Sequence, residues 1–179
     1  GRYFEAPVYR LLGGPTRDEV EVYGSCLGYT VEEGKAGPRA RQLFDSGFRH
    51  QKWFLAYGPG SGNAGLRRNI GLVEELRDAV GFDGQLMFDA FMGWDLPYAM
   101  AWTSAVEPHR PYWIEEAFPT NRLESFVQLS RHTTIPVATG EHFYNRWEVL
   151  DFLKAGAIQI VQADPEWCGG VSELVKICH

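Results

Sequence analysis

The sequence predicts an α/β fold, an incomplete (β/α) barrel of the TIM type with about six strand–helix units. Three observations carry this. Short apolar runs rich in β-branched and aromatic residues alternate with longer helix-like segments along the whole chain, with no long linker between them. The short runs lack strict polar/apolar alternation, as strands covered by crossover helices do. Asp89, Glu115 and Glu141 close three successive runs at one interval of 26 residues, in LMFDAF, YWIEEAF and ATGEHFY. A doubly wound open sheet is the alternative, and the residues alone leave it open.

Strands are expected at 19–25, 48–55, 85–91, 112–118, 136–143 and 158–164. Helices are expected near 36–46, 63–80, 95–107, 121–131, 145–155 and 170–178. In the second helix Leu66, Ile70, Val73, Leu76 and Val80 step along one face, and Gly81 follows where a left-handed cap is wanted. Asp95 is placed to cap the helix expected near 95–107, and Trp147, Leu150 and Lys154–Ala155 lead to Gly156 before the last strand. GPGSGNAG lacks the Gly-Lys-Ser/Thr ending of a phosphate loop and reads as a mobile loop at the barrel mouth.

Composition narrows the function. The 179 residues are 45% apolar and 22% charged, with a formal net charge of −6 and no run of like charge. Nucleic acid and anionic membrane are therefore not expected partners. Three cysteines, Cys26, Cys168 and Cys178, form no disulfide framework and suit reduced thiols in a cytoplasmic protein. Cys168 in WCGG reads as a small buried residue. No apolar run approaches the roughly 20 residues of a membrane span.

In a parallel barrel the strand ends that carry the following loops all lie at one mouth. Neighbouring strands stand about 4.8 Å apart, so Asp89, Glu115 and Glu141 converge within reach of one ion. Each alone could be a helix cap or a surface ion pair. Together, at matched positions on consecutive strands, they point to a hard divalent cation, Mg²⁺ before Ca²⁺, with Mn²⁺ as a substitute.

The chain also resembles the barrel domain of the enolase superfamily, in its mandelate racemase subgroup, and within that the L-rhamnonate-type acid-sugar dehydratases. PVYRLLGG, GPGSGNAGLRRNIGLVEELRDAVG, LMFDAFMGWDLPYA, YWIEEAFP, TGEH and QADPEWCGGVSELVKI carry the resemblance. It implies Asp89, Glu115 and Glu141 as the metal ligands, with the first glutamate of WIEEAF chosen over Glu116. Glu116 would then tune its neighbours or contact substrate. Asp164 in QADPEW would hydrogen-bond a catalytic histidine on a seventh strand outside this chain. The alternative for Asp164 is a turn-forming Asp-Pro.

Racemases of that subgroup carry Lys-x-Lys at the end of the second strand. Here the stretch is Lys52-Trp53-Phe54, so only the first lysine is present. One-sided histidine chemistry is thus favoured over a two-base racemase. Lys52 would supply positive charge to a substrate carboxylate, or else pair with a ligand. His142 would contact substrate or help a leaving hydroxyl, or else pack. His50 is expected to be structural, and His109 and His132 to sit in polar loops.

The activity implied is Mg²⁺-dependent dehydration of an acid sugar to a 2-keto-3-deoxy acid through an enediolate. A racemase or epimerase of the superfamily and a metal-binding, non-catalytic homologue are the alternatives. The resemblance further implies an N-terminal capping domain and last barrel strands outside residues 1–179, and a homo-oligomer of the full-length protein. With two unpaired barrel edges, this chain alone is expected to be inactive.

Overall fold

The computed structural model describes residues 1–179. Six strands form one sheet in the order β1 (Gly24–Ser25), β2 (Gln51–Phe54), β3 (Leu86–Asp89), β4 (Trp113–Glu115), β5 (Val137–Thr139) and β6 (Ile160–Val161). Every neighbouring pair is parallel. Strand order follows sequence order without reversal, which rules out a doubly wound sheet and leaves a partial barrel.

After a short first helix, α1 (Val8–Leu11), each strand is followed by one helix. These are α2 (Ala36–Asp45), α3 (Gly62–Val80), α4 (Leu96–Val106), α5 (Leu123–His132), α6 (Arg146–Lys154) and α7 (Val171–Cys178). No helix is long and apolar enough to cross a membrane.

Side-chain alternation splits the sheet into two faces. Trp53, Leu86, Phe88, Ile114 and Val137 point outward and join one large buried cluster with the helices, including Trp102, Phe118, Phe126 and Phe152. Met87, Trp113 and Ala138 form a separate small cluster on the inner face, with Ile160 packed on it. The inner positions one step further along β3 and β4 are Asp89 and Glu115.

Several expectations shift. The strand expected at 19–25 is reduced to Gly24–Ser25, and the one at 158–164 to Ile160–Val161. Both are edge strands with one neighbour each, so half of their backbone groups have no ladder to join. GPGSGNAG is not a loop throughout. Pro59–Ser61 makes a single 3₁₀ turn, and α3 begins at Gly62. His132 is the last residue of α5 and its Nε2 lies 2.9 Å from Ser104 Oγ, rather than lying in a loop. His50 bridges Glu21 Oε1 (2.7 Å) and accepts from Gln85 N (3.3 Å), a structural role.

The apolar period of α3 finds only part of its buried face. Leu72, Val73, Leu76 and Val80 are core, while Leu66 and Ile70 are half-buried at its edge. Asn69 and Arg77 are buried beside them. Asn69 exchanges hydrogen bonds with the Tyr57 backbone and binds Tyr98 Oη, and Arg77 donates to the carbonyls of Gly81, Gly84, His109 and Arg110. Burial of a polar group is tolerated once its bonds are made, and a hydrophobic period cannot register that.

Candidate metal centre at the mouth of the partial barrel

Asp89 and Glu115 are the last residues of adjacent strands and stand directly opposite each other in register. Beyond β5, Gly140 takes a φ of +130°, and a Cβ there would meet Gln162 N at 3.2 Å. This glycine turns the chain so that Glu141 comes back over the sheet. One carboxylate oxygen from each of Asp89, Glu115 and Glu141 lies within 4.8 Å of the others. Asp89 and Glu115 are fully buried, and Glu141 keeps 40% of its side chain exposed.

Lys52 faces inward from β2, level with Met87 and one layer below Asp89. Its ammonium reaches upward, lies 3.5 Å from Asp89 Oδ2 and makes a closer ion pair with Glu115 Oε1. Two further donors fix the ligand set. Trp113 Nε1 donates to Glu115 Oε2 at 2.9 Å, and Phe91 N donates to Asp89 Oδ1 at 2.9 Å.

The electrostatics show a centre short of positive charge. Burial, and then the Glu115 charge, push the Asp89 carboxyl up to about 6, although the Phe91 amide and Lys52 pull it back. Burial, then Glu115 and Glu116, raise Glu141 as well. Burial opposes the charge on Lys52, but Glu115, by charge and hydrogen bond, and then Asp89 outweigh it and raise its pKa. Three carboxylates around one ammonium leave a deficit of two charges, which a divalent cation matches. The oxygen-only donor set fits Mg²⁺.

Glu116 is adjacent in sequence but built differently. It turns through a φ of +47°, is 1% exposed, and points to the opposite face of the sheet end. The Thr139 hydroxyl and, at 3.5 Å, the Gly140 amide donate to its Oε1, while His142 Nδ1 lies 2.9 Å from Oε2. Its donor atom also falls within 4.8 Å of those of Glu141 and His142. Both oxygens of Glu116 are thus engaged, by Thr139 and Gly140 on one side and His142 on the other.

His142 is 3.9 Å from Glu141 Oε1, and its ring meets the edge of Trp167 at 5.0 Å between centroids. Asp164 stands beyond β6, where its Oδ1 accepts from Glu166 N at 2.6 Å, the turn-forming geometry of an Asp-Pro. It makes no ion pair or hydrogen bond with the cluster. The structure thus brings Asp89, Glu115, Glu141, Lys52, Glu116 and His142 together and sets Asp164 one strand further round.

Reading the sequence missed four neighbours of the centre. Trp113 was legible, because residues two apart on a strand share a face and Trp113 precedes Glu115 by two. Phe54, inward-facing and level with Asp89, was visible only as a missing lysine. Its ring stands 6.1 Å from that of Phe91. Tyr23 packs its ring edge-on against Trp113 at 5.6 Å, and Trp167 covers His142. No sequence signal marked either.

Residues 35–179 match the family model described as enolase C-terminal domain-like. An L-rhamnonate dehydratase of Saccharopolyspora erythraea is 36% identical over 179 residues, covering 99% of this chain and 43% of that protein. The crystal structure of L-rhamnonate dehydratase from Gibberella zeae superposes with a TM-score of 0.86 at 30% identity, covering 98% of this chain and 42% of that one. The structure of rhamnonate dehydratase from the same fungus complexed with Mg gives a TM-score of 0.84 at 30% identity, over 96% and 40%. The chain spans less than half the length of these relatives. Sequential parallel strands, carboxylates at the ends of the third and fourth and just past the fifth, and this match have one meaning: the chain belongs to the enolase C-terminal domain-like family of the enolase superfamily.

Proposed function

We propose that the protein contributes the barrel of a Mg²⁺-dependent acid-sugar dehydratase. It would convert an aldonic acid of the L-rhamnonate kind to its 2-keto-3-deoxy acid. The observation that carries this reading is the triad Asp89, Glu115 and Glu141 at one mouth, flanked by Lys52 on one side and His142 on the other.

Asp89, Glu115 and Glu141 would hold Mg²⁺, or Mn²⁺ in its place. When bound, the ion supplies Lewis acidity to the substrate carboxylate, so that charge developing as the α-proton leaves is stabilised. Trp113 and the Phe91 amide hold the ligand oxygens in place beforehand. Lys52, which pairs with Glu115 and Asp89, would present its charge to the substrate carboxylate. A histidine from a further strand, oriented by the free Oδ2 of Asp164, would remove the α-proton. The β-hydroxyl then departs as water with a proton from His142 or from that same histidine, and the enol left behind tautomerises to the 2-keto product.

Phe54 favours this over racemisation. The inward position level with Asp89, where a second base on β2 would stand, holds an apolar ring that can neither take nor give a proton. The test is turnover by the full-length protein with Mg²⁺ on a panel of five- and six-carbon acid sugars, with the 2-keto-3-deoxy product trapped at its carbonyl. Product from one acid sugar, lost with chelator and in Glu115→Gln, supports the reading. Exchange of the α-proton with solvent deuterium without dehydration moves it to racemisation or epimerisation.

A further inference from the structure

We propose that Glu116 is a positioning residue for His142, setting which ring nitrogen carries the proton and leaving the other to face a ligand. His142 Nδ1 lies 2.9 Å from Oε2 of a carboxylate that is 1% exposed. A carboxylate only accepts hydrogen bonds, so Nδ1 must donate. That leaves Nε2 as the ring nitrogen available to a ligand.

The hold comes from several sides. Glu116 cannot turn away, because the Thr139 hydroxyl and the Gly140 amide fasten Oε1. Its left-handed backbone, uncommon for a residue with a side chain, accompanies a carboxylate turned to Thr139, Gly140 and His142 at the end of β5. Trp167 meets the imidazole edge-on at 5.0 Å and limits its rotation. The side chain of His142 keeps 30% exposure, so the pair opens to the mouth rather than being sealed in the core. The arrangement is a carboxylate–histidine pair built from the ends of β4 and β5, separate from Asp164 at the end of β6.

Glu116→Gln makes a sharp test. The Thr139 and Gly140 donors hold the amide oxygen on their side, so the amide nitrogen faces Nδ1 and donates to it. The proton must then move to Nε2, with almost no change of shape. The measurement is the ¹⁵N shift pattern of His142 in the full-length, Mg²⁺-loaded protein, followed across a pH series. The resonance is identified by its loss in His142→Asn, and turnover is measured alongside.

Wild type should show Nδ1–H and Glu116→Gln should show Nε2–H, with kcat reduced about 10- to 100-fold and KM nearly unchanged. Glu116→Asp, which restores a carboxylate, should recover the Nδ1–H pattern and part of kcat. An Nε2–H tautomer in wild type overturns the proposal without any variant. So does unchanged kcat in Glu116→Gln beside an active wild type. What Nε2 meets rests on the dehydratase reading. If wild type turns over no acid sugar, that reading fails while the tautomer still decides the role of Glu116.

Discussion

At the scale of single residues, the centre depends on how Glu115 is held. One of its oxygens takes the Trp113 indole N–H and the other takes Lys52. Trp113→Phe keeps the inner-face packing and removes only the donor. Mg²⁺ affinity should fall about tenfold, measured by titration calorimetry, with the fold intact by circular dichroism. Unchanged affinity would show that Lys52 and the backbone alone orient the ligand. Lys52→Met tests the opposite sign. Removing the competing ammonium should tighten Mg²⁺ while lowering turnover, because the substrate carboxylate loses its counter-charge.

At the scale of elements, two connections position the chemistry. Gly140 joins β5 to Glu141 at a φ of +130°, and a side chain there would crowd the Gln162 amide. Gly140→Ala is expected to cost about 1–3 kcal/mol of stability and to weaken Mg²⁺ binding by displacing Glu141. Chemical denaturation and metal titration on the same samples check both. On α3, Arg77 ties the helix to the loops that enter β3 and β4 through four carbonyls. Arg77→Met keeps much of the volume but strands those carbonyls. A loss of about 2–4 kcal/mol should follow, with Mg²⁺ affinity preserved because the centre lies at the other end of the strands. Equal loss of metal binding would show that the two ends are coupled.

At the scale of the whole molecule, the mouth is a pool of negative charge, and the pH dependence follows from it. Asp89 ordinarily titrates near 3.8 and is raised to about 6 here, by burial first and by Glu115 second. A carboxyl with a raised pKa favours the folded protein while protonated, and that contribution is lost as pH rises from about 4 through 6. A divalent cation cancels the repulsion. The rise in melting temperature on adding Mg²⁺ should therefore be larger at pH 7 than at pH 5, by calorimetry on the full-length protein. Equal shifts at both would mean that the carboxylates do not share one ion.

The sequence by itself determined the strand–helix alternation, the parallel sheet and the three carboxylates at one mouth. Those features are written in composition and spacing: apolar runs of strand length, glycine and Asp95 at helix ends, and acidic residues closing each run. Tertiary structure decided the rest. It chose the barrel order over a doubly wound one, shortened the edge strands that lack a second neighbour, and buried Asn69 and Arg77 where a hydrophobic period has no place for them. It also separated Glu115 from Glu116. Neighbours in the chain point to opposite faces of a strand, so one carboxylate joins the cluster with Asp89 and Glu141 while the other binds His142 through a bond spanning 26 residues. Local pattern names which residues are acidic, but only the register of strands across space says which of them meet.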